Sequence, residues 1–302
     1  MKQKLKIFLE GLTMYRLMLY FLRVLLAAAI VLSFFKVLPY VWWLLLLQYL
    51  LIVILCYGFN HLFAYSVGTK PNFESPSITG MILTLITGPI ASLNFQNVMW
   101  LILLALLAMA SKYALVIGKR HIFNPAAFAA LAAFLITGQG ASWWIGNKFL
   151  LPFVLVGGIL IVNKIRRWHL AGSFLGAYFL FLVASSLLAN GEPISLISNF
   201  RNLLLFTPLL FFTFVMLPEP LTGPQDKTLR IYYGVVIALF LFVFQKFLNV
   251  PYTVELALLA GNVFARIVNP DLRLTLRLIK KERLDKNIFN FWFEPIKKFA
   301  YV

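Results

Sequence analysis

Long apolar segments follow one another along almost the whole chain, and they constrain its fold more than any other feature. Of the 302 residues, 62% are hydrophobic and only 12% are charged. A membrane-spanning helix needs about 20 mainly apolar residues, and soluble domains of this length do not have such a composition. We therefore predict an all-α polytopic membrane protein with about ten transmembrane helices. The predicted spans are 17–35, 41–59, 77–88, 98–117, 124–137, 149–162, 172–189, 203–217, 231–248 and 253–268.

Basic residues indicate how these segments are oriented, because Lys and Arg concentrate on the cytoplasmic side of membrane proteins. If the N-terminus lies in the cytoplasm, ten crossings place the basic loops at 119–120 and 164–167 and the basic tail on the same side. The opposite side keeps only Lys36, Lys148, Arg201 and Lys246. We predict that both termini are cytoplasmic. The net charge of +17 then reflects topology and attraction to anionic lipid, and no nucleic-acid motif accompanies it.

A Thr-Gly-Pro tripeptide closes an apolar segment twice, at 87–89 and at 222–224. A long apolar run and then a short proline-led helix follow each copy, the first from Asn124-Pro125 and the second from Pro251. The two copies end predicted spans three and eight, and an offset of five spans reverses the direction of the chain. Gly-Pro also ends ordinary helices. The matched order nevertheless predicts two inverted five-helix repeats with broken helices over 1–270, and a functional site at their interface.

Residue types that usually carry catalysis or metal binding are scarce. Cys56 is the only cysteine, and the three histidines lack the spacing of paired ligands, so we predict no metal site and no iron–sulfur cluster held by this chain alone. Glu219 and Glu255 are the acids nearest the membrane, where an ionisable group costs roughly 2.5–3.5 kcal/mol at the centre. The tryptophan pairs at 42–43 and 143–144 fall at predicted span ends, which favours a place in the interfacial belts.

Six motifs follow one another along the chain, at 75–84, 119–127, 166–169, 214–222, 232–234 and 259–264. In sequence and in order, they resemble motifs of the RnfD and NqrB membrane subunits of ion-pumping electron-transport complexes. The resemblance implies a ten-span inverted-repeat protein of a bacterial inner membrane. It also implies a flavin cofactor and electron transfer between partner subunits.

The chain departs from that family where the cofactor is attached. The family carries a covalent flavin mononucleotide on a threonine, in a sizeable loop after the Asn-Pro-Ala helix. Here the corresponding connection is the short segment 138–147, which has no threonine beyond Thr137. We therefore predict that the covalent flavin site is missing. A non-covalent flavin between the repeats is the cofactor that the resemblance still allows.

The tail, 271–302, has a different pattern. Residues 272–278 and 287–295 alternate between apolar and polar types, which is typical of strands, although the first stretch also suits a basic helix on the membrane surface. With the charged segment 280–285 between them, they resemble the opening hairpin of the FAD-binding barrel in ferredoxin–NADP reductases. That resemblance implies FAD only if a reductase domain follows.

Two functions from different classes account for these features. The first is a membrane electron-transfer subunit of an Rnf/Nqr-type complex or of a fused flavin reductase, with coupling to ion transport. Its partners are the lipid bilayer and either other electron-transport subunits or a cytoplasmic reductase module. The second is an inverted-repeat transporter or channel-like scaffold without a redox role.

The first function predicts cofactor-binding residues at the broken helices. Two threonines would contact the flavin edge, two asparagines would cap helix ends, and one glutamate would couple proton or cation movement. These residues are Thr79, Asn124, Thr222, Glu255 and Asn262.

Overall fold

Two compact units make up the chain, Met1–Val268 and Asn269–Val302. The computed structural model describes residues 11–117, 120–188, 193–248, 252–268, 276–285 and 288–295. Pro251 and residues 272–275, to which some of the predictions above refer, lie outside these ranges. The described part of the larger unit is almost entirely helical.

In the described residues of its first half, the larger unit contains five helices and one small strand pair. β1 (Val116–Ile117) and β2 (Arg120–His121) pair antiparallel between the fourth and fifth helices. The helices are α1 (Met14–Phe34), α2 (Trp42–Ser66), α3 (Glu74–Ile86), α4 (Phe95–Ala114) and α5 (Pro125–Thr137).

The second half follows a similar order but contains π-helical turns. A short helix, α9 (Leu209–Phe211), continues as π1 (Phe212–Met216), and α10 (Lys227–Val243) continues as π2 (Phe244–Leu248). The predicted span 203–217 is thus interrupted, because α8 already ends at Phe206. The other helices are α6 (Leu151–Lys164), α7 (Trp168–Leu188), α8 (Pro193–Phe206) and α11 (Thr253–Val268).

Among the described residues, five helices are long and apolar enough to cross a membrane: α1, α2, α4, α7 and the continuous α10–π2 helix. α5 and α6 are apolar but shorter. Large apolar side chains are exposed on these helices, including Ile54, Leu180 and Phe247 at 64%, 69% and 72%. Such surfaces are unfavourable in water and suit a lipid environment. The expected multi-pass membrane protein is confirmed.

Each half contains helices that pack against one another. In the first half α2 packs against α3 and α4, and α4 against α5. In the second half α7 packs against π1 and α10, and α10 against α11. The halves meet where α1 contacts α6 and where α5 contacts α11.

Side-chain caps explain where several helices begin. The Asn94 side chain accepts a hydrogen bond from the backbone N–H of Asn97 at 2.8 Å, and Asp226 accepts two from the first turn of α10. Asn124 caps α5 in the same way. Each cap satisfies backbone donors that have no partner within the helix.

The first Thr-Gly-Pro is held by a side chain from another helix. Gln48 of α2 donates from Nε2 to the Gly88 carbonyl at 3.3 Å and accepts from the Ile90 N–H at 2.7 Å. Gln48 is fully buried. A break in an apolar environment needs such partners, because unpaired backbone groups there are costly.

The prediction of an interfacial belt is wrong for Trp143 and Trp144 and stays a prediction for Trp42 and Trp43. Trp42 and Trp43 are exposed by 40% and 49%, whereas Trp143 and Trp144 are both 7% exposed. The short segment 138–147 folds inward, since the Trp143 N–H donates to the Ile86 carbonyl and Trp144 Nε1 donates to the Thr84 carbonyl, each at 2.8 Å. Backbone partners on α3 therefore outweigh the interfacial preference of these rings.

The described part of the smaller unit is an antiparallel pair, β3 (Leu276–Asp285) and β4 (Ile288–Pro295). Leu278 pairs with Phe293 and Lys281 with Phe291, and directly opposite side chains in such a pair lie on the same face. The alternating pattern predicted strands correctly. However, β3 extends through the segment 280–285 that was expected to connect them.

Candidate functional site

The N-terminus of α5 meets the middle of α11 through two asparagines. The Asn124 side chain accepts from the N–H groups of Ala126 and Ala127, at 3.1 and 3.0 Å. The backbone N–H of Asn124 donates to Oδ1 of Asn262 at 2.9 Å, and Asn262 Nδ2 donates to the Tyr233 hydroxyl at 2.8 Å. Asn124 and Asn262 are both buried, so these hydrogen bonds join the two halves within the protein interior.

Glu219 extends this network toward the second Thr-Gly-Pro. It lies after π1, and its Oε2 accepts from Nδ2 of Asn124 at 2.8 Å and from the Thr222 hydroxyl at 3.3 Å. Asn124 therefore contacts both a carboxylate and another asparagine through different atoms. The three side chains of Asn124, Glu219 and Thr222 form one hydrogen-bonded group.

Two arginines hold the backbone of the same loop. Arg120 Nη2 donates to the carbonyls of Pro220 and Gly223, both at 3.1 Å. Arg167 Nη1 donates to the carbonyls of Pro218 and Glu219, at 3.3 and 3.4 Å. One arginine comes from each half of the chain, so the loop 217–226 is anchored from both sides.

A second polar group near the site is formed by the buried side chain of Lys112. Lys112 of α4 donates from Nζ to the hydroxyl and the carbonyl of Ser75, at 2.8 and 3.2 Å, and to the Thr79 hydroxyl at 2.7 Å. Lys112 and Thr79 are 7% and 6% exposed. Lys112 lies near the end of the predicted span 98–117, a position that favours a charge facing the cytoplasm. Its side chain instead turns into the protein and binds α3.

A cavity of about 50 Å³ lies beside Lys112, Asn124 and Glu219. A volume of this size holds a few water molecules. The polar lining residues of the cavity are Tyr15, Ser75, Thr79, Lys112, His121, Asn124 and Glu219.

Burial dominates the electrostatics of the loops that border the site. It raises the pKa of Glu219 above its ordinary value, an effect that nearby Lys112 partly offsets. Burial also lowers the pKa of His121 to about 4, with Lys112 as the second cause. The pKa of Arg167 is lowered to about 10 by burial and by Arg230, so Arg167 remains cationic at neutral pH.

Four of the five predicted site residues lie in or next to this network. Thr79 and Asn124 line the cavity, while Thr222 and Asn262 are hydrogen-bonded to groups around Asn124. Glu255 stands apart. It precedes Asn262 by seven residues on α11, about 10 Å along the helix axis.

Sequence reasoning missed several residues that complete the network. Arg120 and Arg167 belong to basic loops, which predict orientation but no contact, and Lys112 lies within the predicted span 98–117. Tyr233 was part of a motif but had no assigned role. A lysine inside an otherwise apolar run was the one available signal, because such a residue usually faces the protein interior.

The two threonines predicted to contact a flavin have hydrogen-bond partners within the protein. The Thr79 hydroxyl donates to the Ser75 carbonyl and accepts from Lys112, and the Thr222 hydroxyl donates to Glu219. Both hydroxyls are thus engaged by the protein. A non-covalent flavin at these residues stays a prediction. No step is assigned to a flavin at these residues.

Comparison with known proteins agrees with the family resemblance. Residues 133–273 match the model of the NQR2, RnfD, RnfE family. The D subunit of an ion-translocating oxidoreductase complex from Aliivibrio salmonicida is 28% identical over 132 residues, which are 43% of this chain and 35% of that protein. The corresponding protein from Shewanella amazonensis is 27% identical over 133 residues, 44% of this chain and 36% of that protein.

These matches confirm the similarity to RnfD and NqrB subunits. The chain spans about a third of the length of the curated relatives that it matches. The family match begins within α5 and ends at residue 273. The resemblance of the tail to a reductase barrel therefore stays a prediction.

Proposed function

We propose that this chain, as a protein similar to the RnfD/NqrB family, is a membrane electron-transfer subunit of an Rnf-type complex. The observation that carries the proposal is the family match over 133–273. This region contains Glu219, Tyr233 and Asn262, which supply the second half's side of the polar network. The proposed partners are other subunits of an ion-translocating oxidoreductase complex.

The proposal includes two inverted five-helix repeats. The corresponding packing of α2 with α4 and of α7 with α10 supports it, as does the contact of α5 with α11. A bacterial inner membrane with both termini in the cytoplasm is the proposed location, and the distribution of Lys and Arg supports that orientation.

The polar cavity is the proposed place of ion coupling. Lys112 and Glu219 carry opposite charges and border the same water-sized space. Each is held by neutral partners, Ser75 and Thr79 for the lysine, Asn124 and Thr222 for the carboxylate. A proton or cation that enters the cavity changes the interaction between Lys112 and Glu219. Because Lys112 belongs to the first half and Glu219 to the second, this change affects both halves of the protein.

Purification of the tagged full chain from its native host in mild detergent tests the assignment. We expect other oxidoreductase subunits to copurify, together with donor-dependent electron transfer. The variant Arg167→Gln loses the contacts that anchor the loop 217–226 and should reduce the yield of assembled complex. Arg166→Gln is the matched control, because Arg166 is exposed. A chain that purifies alone and supports no electron transfer would contradict the proposal.

The alternative is a channel-like scaffold without a redox role. The water-sized polar cavity favours it, because ion passage needs such a space and no flavin. Ion flux in proteoliposomes that contain only this chain, without an electron donor, distinguishes the two functions. Flux that Lys112→Met abolishes, together with purification as a single subunit, would support the alternative.

A further inference from the structure

Glu255 is a buried acid with only one satisfied oxygen. It lies in the first turn of α11 and is 1% exposed. Its Oε1 accepts a hydrogen bond from Nε1 of Trp143 at 2.9 Å. Its Oε2 is buried and has no hydrogen-bond partner among the described residues. Glu255 is therefore separate from the network around Asn124 and has a distinct environment.

The segment 138–147 brings Trp143 to this acid. Ala141 pairs with Thr87, and the Trp143 N–H donates to the Ile86 carbonyl at 2.8 Å, so the segment is fixed to the end of α3. The backbone of Trp143 has a φ of 49°, a conformation that a bulky residue adopts only where the surroundings enforce it. The ring also contacts Phe212 edge-on, with centroids 6.4 Å apart. The Trp143 side chain is thus held in one orientation, with its indole N–H toward Glu255.

Charged groups on the surrounding elements do not bond to Glu255 in the part of the chain that the structure describes. α5 has no charged residue in its sequence. Among neighbouring groups, Tyr233 is bonded to Asn262 and Tyr178 to Gln245. The remaining ionisable residues of α10, π2 and α11 are Lys227, Arg230, Tyr232, Lys246 and Arg266, and Lys148 follows the segment 138–147.

An acid in this environment is more stable when neutral. An ionised carboxylate without a cation is strongly disfavoured in an apolar interior. The N-terminal turn of α11 favours a negative charge, but helix-terminus effects are smaller than the penalty of burying an unpaired ion. A neutral acid also leaves less polarity unsatisfied at Oε2.

The same geometry favours a proton over a metal cation. Hard cations require several oxygen ligands around them. The group that faces Glu255 is an indole N–H, which only donates and cannot bind a cation. A single free carboxylate oxygen is enough to bind a proton.

We propose that Glu255 is a proton-binding site between the two halves, oriented by Trp143. Binding converts the carboxylate and one proton into the neutral acid, with no change in oxidation state. The inference goes beyond the proposed function, because Glu255 lies apart from the cavity that Lys112 and Glu219 border. The protonation itself is independent of electron transfer and is measured without a donor.

Infrared spectroscopy of the full chain in lipid nanodiscs tests the site. At neutral pH we expect the C=O stretching band of a protonated carboxyl group, which shifts in heavy water. Glu255→Gln should remove this band. Glu74→Gln is the matched control and should retain it, because Glu74 is partly exposed and paired with Arg16. Trp143→Phe keeps an aromatic ring but lacks the donor, so the band should move to higher frequency.

Two results would overturn the proposal. One is the loss of ionised carboxylate bands, rather than the protonated band, in Glu255→Gln. The other is a wild-type band that disappears when NaCl is added at constant pH, since this would indicate a cation site. If Glu255→Gln does not fold, the frequency shift in Trp143→Phe remains as the test, and a band at the wild-type position would then contradict the inference. None of these measurements depends on copurifying subunits.

Discussion

The backbone N–H of Asn124 donates to the side-chain oxygen of Asn262 at 2.9 Å, across 138 positions of sequence. Asn262 in turn donates to Tyr233, and Asn124 donates to Glu219. The N-terminus of α5 in the first half is thereby hydrogen-bonded to α11, the last described helix of the larger unit. The link is buried, so each polar group in it depends on its partner.

Removing the Tyr233 hydroxyl should weaken this link. Tyr233→Phe leaves Nδ2 of Asn262 buried without an acceptor, and an unsatisfied buried group costs about 1–3 kcal/mol. We expect a loss of unfolding free energy in this range, measured by denaturant titration in mixed micelles. Tyr232→Phe is the control, because Tyr232 is 58% exposed and its variant should unfold like the wild type. Equal stabilities of the two variants would contradict the role of the link.

Lys112 and Glu219 should be energetically coupled across their shared cavity. Lys112→Met or Glu219→Gln alone leaves the opposite charge buried with less compensation. We expect the double variant to be less destabilised than the sum of the single variants, by about 0.5–3 kcal/mol. The same cycle with the exposed Lys70 in place of Lys112 should be additive within about 0.5 kcal/mol. Additivity in both cycles would argue against coupling.

The asparagines could be predicted because their signals are local. Asn124 precedes a proline at a helix start, and Asn262 lies in a motif of the resembled family. Lys112 could not be assigned, because its partners Ser75 and Thr79 lie on another helix and only tertiary packing brings them together. Counting charges along the sequence treats every lysine near a span end alike.

Helix boundaries show the same limit. Apolar length predicted α1, α2, α4 and α7 well, because a long apolar run in lipid has few alternatives to a helix. It did not predict the interruption between α8 and π1, nor the inward fold of 138–147. The interruption lies at Pro208, which breaks a helix locally, whereas the inward fold depends on partners distant in sequence, such as the Thr84 carbonyl that accepts from the Trp144 indole.

Glycines on α6 should be required for close helix packing. A β-carbon at Gly158 would lie 2.6 Å from Cβ of Phe214, which is closer than such atoms approach. Gly158→Ala should therefore destabilise the protein by about 1–3 kcal/mol, as overpacking does. Gly176→Ala is the matched control, since a β-carbon there has no neighbour within 4 Å among the described residues. Thermal unfolding in detergent compares the two, and a stable Gly158→Ala variant would contradict this packing.

The unusual environment of His121 should make stability depend on pH. Burial and Lys112 lower the pKa of His121 from 6.5 to about 4 in the folded protein, so the folded state resists protonation. As pH falls from about 6.5 toward 4, the unfolded chain binds a proton at this position and the folded chain does not. Stability should therefore decrease through this window, and above it His121 should contribute little to the pH dependence.

His121→Asn should show a smaller decrease in melting temperature between pH 7 and pH 4.5 than the wild type, measured by scanning fluorimetry in detergent. His61→Gln, which changes an exposed histidine bonded to the Tyr57 carbonyl, is the control for losing any histidine. A wild-type pH profile in His121→Asn would mean that other groups dominate the acid response.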